Sequence, residues 1–260
     1  MKRYPAIFIG HGSPMQIADG VPGRGFLERL GPELGKPAAI LIASAHWETM
    51  QPAVSGAAHP ETIYDFGGFP LAFYQVKYPA PGAPDLAKRV AALLEQAGLP
   101  AHIDPQQGLD HGAWSVLMHY APVADVPVVQ LSIDRTQPAS FHYQIGQRLA
   151  PMRDEGVLIA GSGDVVHNLR HMNLAPGAPA YPWAQRFHDR VKEAIVREDH
   201  TSLVNFGLMG DDAVQSVPTP EHYLPLLYVL GARRFDDQVR FFTVSIDLGS
   251  ISMLGVQVGI

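Results

Sequence analysis

Three histidines stand directly after short apolar runs that the sequence predicts to be buried strands. His11 lies in GHGSP after the first run, His46 in SAHWE after the second, and His167 in GSGDVVHN after the fourth. Ligands of open α/β sheets bind outside the carboxyl ends of the strands, so these imidazoles are predicted to lie at an active-site edge. Gly10 and Gly12 flank His11 and let the backbone approach a ligand closely. We therefore expect His11 and His46 to share a metal ion.

Two further histidines stand in motifs with two interpretations each. His111, in GLDHGAW, is either a turn histidine that bonds its own loop or a group that exchanges a proton or hydrogen bond with a substrate. His222 lies in TPEHYLPLL, where Thr219 suits a helix cap and Pro220 the first helical turn. His222 is thus predicted in the first turn of a buried helix, and its spacing alone does not separate a core histidine from a ligand.

The chain has twelve histidines in 260 residues, and the other seven lie in no comparable setting. Among these seven, His188 and His200 are expected to be solvated, and His171, one helical turn after His167, is the spare ligand candidate. The remaining four are interpreted as structural: His59, His102, His119 and His142. Other chemistries fit less well, because GSGDVV lacks the lysine of a phosphate loop and GSG is not a nucleophile elbow.

Composition narrows the classes of function. The formal net charge of -6 gives no basic excess, which argues against a nucleic-acid partner. The absence of cysteine excludes thiolate ligands, disulfides, iron–sulfur clusters and a cysteine nucleophile. The apolar run Ala6–Ile9 is too short for a signal peptide, and no stretch has the length of a membrane span. We expect a cytoplasmic protein with no membrane partner.

Continuous apolar strands alternate with helical patterns, which predicts an α/β sheet covered on both faces. The predicted strands are Ala6–Ile9, Ala38–Ser44, Val126–Ile133 and Gly156–Ile159, with a closing antiparallel pair at Arg240–Ile246 and Ser252–Val258. The predicted helices are Pro84–Gln96, Pro138–Met152, Trp183–Glu198 and Pro220–Leu230. The long connection Ala45–Pro84 is interpreted as a functional loop carried on the sheet. With no repeat or linker in view, residues 1–260 are expected to form one domain.

Five motifs, in order along the chain, carry a family resemblance: GHGSPM, SAHWET, LDHGAW, GSGDVVHNL and PTPEHYLPLLYVLGA. They closely resemble the class III extradiol ring-cleavage dioxygenases, and in particular the DOPA 4,5-dioxygenase-like subgroup. The resemblance implies a single α/β domain with a mixed, mainly parallel sheet flanked by helices, similar to the protocatechuate 4,5-dioxygenase catalytic subunit. It also implies cleavage of a catechol by O2 with Fe(II), giving a muconic semialdehyde. The expected partners are a small-molecule catechol and O2, and the chain could form a homo-oligomer.

The same resemblance implies a set of metal ligands. His11 and His46 match the first two ligands of the family, and His222 matches the third. Relatives of the protocatechuate type have a glutamate as third ligand, so Glu221, which adjoins His222, is its rival. Many members of the subgroup have a histidine where this chain has Val217, a difference that bears on substrate preference.

Proton transfer is implied for two other histidines. His167 matches the family's acid/base histidine, which is sometimes also counted as a metal ligand, and His111 matches a histidine that contacts substrate or oxygen. Three side chains would meet a substrate's carboxylate or amino group if they line the pocket, and the alternative for each is an ordinary surface or packing role: Arg170, Tyr120 and Tyr223. Three imidazoles also suit Zn(II). The alternatives are therefore a zinc-dependent hydrolase or other redox-silent metalloenzyme, or a non-catalytic binding protein.

Overall fold

The fold is built on a mixed eight-stranded sheet. The structure, a computed structural model, describes residues 3–17, 24–175 and 177–259. Its strands are β1 (Ala6–Gly10), β2 (Ala39–Thr49), β3 (Ala53–Ser55), β4 (His102–Asp104), β5 (Val128–Asp134), β6 (Val157–Gly163), β7 (Val239–Thr243), β8 (Ile246–Asp247), β9 (Ile251–Ser252) and β10 (Gly255–Val258). The order in the large sheet is β4-β3-β5-β2-β6-β1-β10-β7, and β8 pairs with β9 separately.

The centre of the sheet is parallel. β5, β2, β6 and β1 run in the same direction as neighbours, while β3 joins β5, and β10 joins both β1 and β7, in antiparallel fashion. The predicted α/β class with a mixed, mainly parallel sheet is confirmed, as is the antiparallel closing pair, now β7 and β10. The carboxyl ends of β1, β2 and β6, three adjacent strands, meet at one edge of the sheet.

Helices cover both faces of the sheet. They are α1 (Arg24–Leu34), α2 (Pro84–Gln96), α3 (His111–Tyr120), α4 (Ala139–Leu149), α5 (Pro182–Val196), α6 (His200–Val204), α7 (Asp211–Ser216) and α8 (Leu224–Gly231). Strand β1 alternates between two cores: Ile7 packs in the one that α1 and α3 complete, and Phe8 in the one that α2, α4, α5 and α8 complete. No helix among the described residues is long and apolar enough to cross a membrane.

Predicted and observed elements differ where local geometry is irregular. β2 extends to Thr49 instead of ending at Ser44, and its register against β5 shifts between Ala43 and Glu48. His46 therefore lies within a bulged part of β2 rather than after the strand. The apolar pattern of a strand stays regular up to a bulge and is interrupted there. The sequence therefore predicts where the regular pairing of β2 with β5 ends, but not where β2 itself ends.

The segment before α8 is a turn and not the helix predicted from Pro220. The carbonyl of Pro220 accepts hydrogen bonds from the backbone N–H of both Tyr223 and Leu224, and the helix begins only at Leu224. The prediction that His222 lies in the first helical turn is therefore wrong. Instead the turn carries His222 towards the sheet, and its carbonyl accepts the backbone N–H of Asp164 at 2.8 Å.

The sequence analysis missed α1 and α3, and of these α3 carries a residue of the site. Nine of its ten residues are buried, so it has no polar face and no helical period of hydrophobicity. The one local signal is Asp110, whose carboxylate accepts the backbone N–H of Ala113 as a helix cap. The expectation that His111 lies in a loop is accordingly wrong, because His111 is the first residue of α3.

The expectation that His188 and His200 are solvated is also wrong. His188 is fully buried, on the face of α5 that also buries Ala184 and Val191. That face has helical spacing, so the histidine stands in an apolar stripe. Its Nδ1 lies 2.9 Å from Ser252 Oγ. His200 is partly buried, with Nδ1 2.6 Å from the hydroxyl of Tyr143.

Burial of His188 gives the stability of the fold a pH dependence. Burial, reinforced by Lys192, lowers the pKa of His188 to about 4, whereas an unfolded histidine has a pKa of about 6.5. As pH falls, His188 therefore becomes protonated in the unfolded chain before it does so in the folded protein. Protonation favours the unfolded chain, so the free energy of unfolding decreases as pH falls from about 6.5 towards about 4. The substitution His188→Asn removes this term, so its free energy of unfolding should fall less than the wild type's between pH 7 and pH 5.

Urea unfolding at the two pH values measures this difference. The matched control is His59→Asn, since His59 is exposed and its replacement should leave the wild-type pH dependence unchanged. An equal loss of stability in His188→Asn and wild type would contradict the assignment.

Candidate metal centre and active site

Three imidazole rings from distant parts of the chain form a nearly equilateral triangle at the carboxyl edge of the sheet. His11 follows β1, His46 lies in the bulge of β2, and His222 lies in the turn before α8. The ring centroids are 5.0 Å apart for His11 and His46, 5.3 Å for His11 and His222, and 5.2 Å for His46 and His222. The three rings that the resemblance implies as ligands are therefore brought together.

The tautomer of His11 follows from a relay of two hydrogen bonds. Ser162 donates its hydroxyl hydrogen to the carbonyl of Gly112 at 2.6 Å. The same oxygen lies 2.9 Å from His11 Nδ1 and must accept there, since its one hydrogen is already used. His11 thus carries its proton on Nδ1, and its Nε2 holds a lone pair directed away from Ser162.

A carboxylate determines the tautomer of His46 in the same way. Asp65 Oδ2 lies 3.2 Å from His46 Nδ1 and 2.9 Å from His111 Nδ1. Burial alone would raise the pKa of Asp65, but the hydrogen bonds from His111 and then His46 outweigh it and hold that pKa far below its usual value. The ionised carboxylate only accepts, so both rings donate from Nδ1 and keep the lone pair on Nε2.

The two lone pairs so defined face each other, with His11 Nε2 3.0 Å from His46 Nε2. Two unprotonated nitrogens at this distance repel each other unless a cation lies between them. An ion bound at about 2.0–2.1 Å from each nitrogen fits that separation. The donor set therefore fits a divalent metal ion.

Glu221 acts on His222 as a hydrogen-bond partner. Its Oε1 lies 3.1 Å from His222 Nδ1 and accepts the hydroxyl of Thr219 at 2.9 Å. The carboxylate thus orients the ring and leaves Nε2 of His222 free to bind an ion. Glu221 is thus already engaged by two hydrogen-bond partners, whereas His222 has a free Nε2, and this difference bears on which of the two would be the third ligand.

Burial keeps the rings neutral. Burial first, and repulsion by the surrounding imidazoles second, hold the pKa values of His11 and His222 well below the usual value for histidine. Burial also lowers the pKa of His167 to about 4, against an opposing effect of Glu221. Metal ligands must be deprotonated, so neutral imidazoles suit an ion at neutral pH.

The two remaining site histidines flank the triangle. His167 stacks on His222, with centroids 3.5 Å apart and planes 8° from parallel. Imidazole binds a metal through a lone pair in the ring plane, and two stacked planes do not converge on one ion. His111 lies on the other side, its centroid 3.9 Å from His46 and 6.0 Å from His11.

Asp164, which the sequence analysis singled out only as part of GSGDVV, lies beside the triangle. Its carboxyl is buried, and neither oxygen has a hydrogen-bond partner among the described residues. One oxygen lies within 4.8 Å of a ligand-capable nitrogen of both His11 and His222. Burial, with repulsion from Asp247, raises its pKa well above the usual value. An orphaned buried carboxyl beside three imidazoles is a second indication that a cation belongs here.

Aromatic side chains from the long connection after β3 line the side near His111. Phe66 meets the ring of His111 edge to face at 5.5 Å. Tyr74 and Trp114 pack against Phe66, with centroids 5.0 and 6.3 Å away. This segment, interpreted from the sequence as a functional loop, thus places aromatic side chains next to a site histidine.

Several residues considered at the sequence level lie away from the site. Tyr120 and Tyr223 are core residues, and the hydroxyl of Tyr223 donates to the carbonyl of Leu203. The suggestion that these tyrosines meet a substrate is therefore wrong. Arg170 is exposed, as is His171, whose ring faces Trp183 at 5.8 Å. Within the described residues, His171 belongs to no group of metal-ligand candidates.

Gly112 allows helix α3 to approach the bulge of β2. A Cβ at this position would lie 2.5 Å from Ser44 Oγ and 2.8 Å from His46 Cδ2. We predict that Gly112→Ala displaces His46, weakens metal binding by at least about tenfold and costs about 1–3 kcal/mol of stability from overpacking. Competition with a chromogenic chelator measures the affinity.

The control for this prediction is Gly207→Ala, because a Cβ there meets nothing within 4 Å and the glycine is exposed. Metal affinity in the control should equal that of wild type. Unchanged affinity in Gly112→Ala would contradict the role assigned to this close approach.

Comparison with known proteins gives consistent matches. Residues 5–246 match the family described as the catalytic LigB subunit of aromatic ring-opening dioxygenase. The chain is 45% identical to a 4,5-DOPA dioxygenase extradiol of Escherichia coli (strain K12), over 99% of this chain and 95% of the relative. It is 41% identical to a protein of the same name from Beta vulgaris, over 94% of this chain and 92% of the relative.

A solved structure supports the same placement. A protein from Escherichia coli K12, described as uncharacterized, superposes with a TM-score of 0.86 at 42% identity, covering 99% of this chain and 100% of that one. The chain therefore belongs to the LigB family of aromatic ring-opening dioxygenases.

Proposed function

We propose that this enzyme opens a catechol ring with O2 in an Fe(II)-dependent extradiol reaction, and that its substrate is DOPA or a DOPA-like catechol cleaved at the 4,5 position to a muconic semialdehyde. The observation that carries the proposal is the triangle of His11, His46 and His222. Each ring has a polar partner at Nδ1, which leaves the lone pair of each Nε2 available to a metal ion. The names of the relatives from Escherichia coli and Beta vulgaris supply the substrate class.

The proposed ligands are His11, His46 and His222. Glu221 is assigned to orienting His222, because its carboxylate is already engaged by that ring and by Thr219. His167 is assigned to proton transfer rather than to the metal, because its plane is parallel to that of His222 and displaced by the stacking distance.

Fe(II), when bound, supplies open positions for both catechol oxygens and for O2, and a route for electrons between them. Zn(II) suits the same three imidazoles but has no accessible redox chemistry. Zinc in the purified protein would therefore occupy the site without supporting the reaction.

The proton steps fall to His167 and His111. A catechol must lose a hydroxyl proton when it binds and must receive a proton before the product leaves. His167 is held neutral by burial, so it can accept the hydroxyl proton. His111 keeps its Nδ1–H on Asp65, so it exchanges a proton with substrate or oxygen through Nε2.

The aromatic side chains near His111 complete the pocket. Phe66 and Tyr74 are partly buried and offer apolar faces against which the catechol ring can pack, while the fully buried Trp114 packs against Phe66. Phe66 meets the ring of His111 edge to face, so a catechol packed on Phe66 would lie next to that histidine.

We predict that apoprotein reconstituted anaerobically with Fe(II) consumes O2 and forms a yellow product when DOPA and then air are added. Reconstitution with Zn(II) should give neither, since zinc supplies no redox chemistry. An oxygen electrode and the visible absorption spectrum measure the two signals. Metal binding without turnover of any catechol would favour a redox-silent zinc enzyme.

The adjacent pair His222 and Glu221 provides a matched control for the ligand set. His222→Ala should lose the metal, whereas Glu221→Gln, whose amide oxygen can still accept from His222 Nδ1, should retain it. The reverse pattern would assign the third ligand to Glu221.

The role of His167 is tested by a substitution that keeps its stacking. His167→Phe should preserve the ring on His222, and with it the metal content, while kcat falls by about 10²–10⁴-fold through loss of the base. The control His171→Phe changes an exposed histidine outside the site and should leave turnover unchanged. Metal loss in His167→Phe would indicate that His167 is a ligand, and normal turnover would remove it from the mechanism.

A further inference from the structure

One carboxylate lies behind two of the histidines that the proposed function uses for different tasks. Asp65 Oδ2 is 2.9 Å from His111 Nδ1 and 3.2 Å from His46 Nδ1. Its other oxygen, Oδ1, accepts the backbone N–H of His111 at 2.8 Å. His111 makes two of these contacts as hydrogen bonds and His46 makes the third at ion-pair distance, so a single side chain contacts one ring assigned to the metal and one assigned to proton exchange.

The position of Asp65 is defined by its neighbours in the chain. The backbone N–H of Ile63 donates to the carbonyl of Leu109 at 2.8 Å, and the indole N–H of Trp114 donates to the carbonyl of Ile63 at 2.9 Å. Tyr64 donates its hydroxyl to the carbonyl of Val76 at 2.7 Å. These contacts hold the segment against the start of α3 without help from His46.

The side chain of Asp65 is only 22% exposed, and the ring of His111 covers it with a side chain 6% exposed. Both oxygens of this carboxylate already face donors of His111, so the number of donors and acceptors around Asp65 decides which tautomers are favoured. A carboxylate provides acceptors at both oxygens. It therefore selects the Nδ1–H form of both rings at once.

We propose that Asp65 is the positioning residue of this site: by accepting Nδ1–H from both His46 and His111, it directs the Nε2 lone pair of His46 to the metal and that of His111 to the substrate. The inference rests on the proposed function for the second of these roles only. The first concerns the protein's affinity for a divalent ion and applies whatever the reaction is.

The substitution Asp65→Asn tests this assignment at nearly constant size. An amide offers an acceptor at one atom and a donor at the other. If its oxygen keeps the backbone N–H of His111, its NH2 group faces two Nδ1–H donors. The rings can relieve this conflict only by moving the proton from Nδ1 to Nε2, which removes the lone pair from the metal side of His46.

Zn(II) affinity and histidine tautomers are the measurements. Asp65→Asn should bind Zn(II) about 10–100-fold more weakly in chelator competition, the usual effect of losing the partner of a ligating histidine. Long-range ¹H–¹⁵N spectra of the metal-free protein should show two histidines changed from the Nδ1–H to the Nε2–H form. A merely structural role of Asp65 would leave these tautomers as they are in wild type.

Two further variants separate the carboxylate from its surroundings. Asp65→Glu keeps the carboxylate and should recover part of the Zn(II) affinity. Asp85→Asn removes an exposed carboxylate that pairs with Lys88 in α2, and it should match wild type in every measurement. Wild-type affinity and wild-type tautomers in Asp65→Asn would overturn the proposal.

These measurements distinguish failure of the Asp65 proposal from failure of the proposed function. If wild type turns over no catechol yet Asp65→Asn shows weakened Zn(II) binding and shifted tautomers, the positioning role stands and the reaction is wrong. If wild type turns over DOPA and Asp65→Asn does so with unchanged kcat, affinity and tautomers, the positioning role is wrong and the reaction stands.

Discussion

The site depends on one constraint: the Nε2 atoms of His11 and His46 face each other across 3.0 Å with no proton assigned to either. That arrangement is unfavourable in isolation and becomes favourable when a cation is shared. It exists only because both Nδ1 atoms are committed elsewhere, one to Ser162 and one to Asp65. The orientation of each ring is thus decided on the side away from the metal.

The sheet supplies the remaining requirements. β2, β6 and β1 are adjacent and parallel, so the residues at their carboxyl ends lie close together at one edge of the sheet. Small residues then allow the close contacts: a Cβ on Gly163 would collide with the carbonyl of His222, and one on Gly112 with Ser44 and His46. The turn that carries His222 can approach β6 only because that glycine has no side chain. The close backbone approaches at these two glycines therefore help to determine where the rings of His46 and His222 lie.

The site thus depends both on regular strands and on irregular contacts, and the sequence could predict the first but not the second. The position of His11 followed from a regular strand and the rule that sites lie at strand ends, both readable from the apolar pattern. His46 was placed at the correct edge but outside its strand, because a bulge has no hydrophobic signature. His222 required family resemblance, since a turn capped by Pro220 and the first turn of a helix look alike in sequence. Asp65 had no signal, because its role depends on contacts across 46 positions of the chain with His111.

What distinguishes the proposed dioxygenase from a redox-silent enzyme lies outside the triangle, because three imidazoles serve iron and zinc alike. Hydrolysis at a metal needs one activated water and a base near it. Two histidines beside the triangle, one stacked on His222 and one held by Asp65, suit a substrate that gives up protons on binding and takes them back from the same imidazoles before the product leaves. The aromatic group around Phe66 adds a surface for a flat ring next to the second of these histidines. A catechol satisfies both conditions together, and it is this pairing of two proton sites with an aromatic wall that favours ring cleavage.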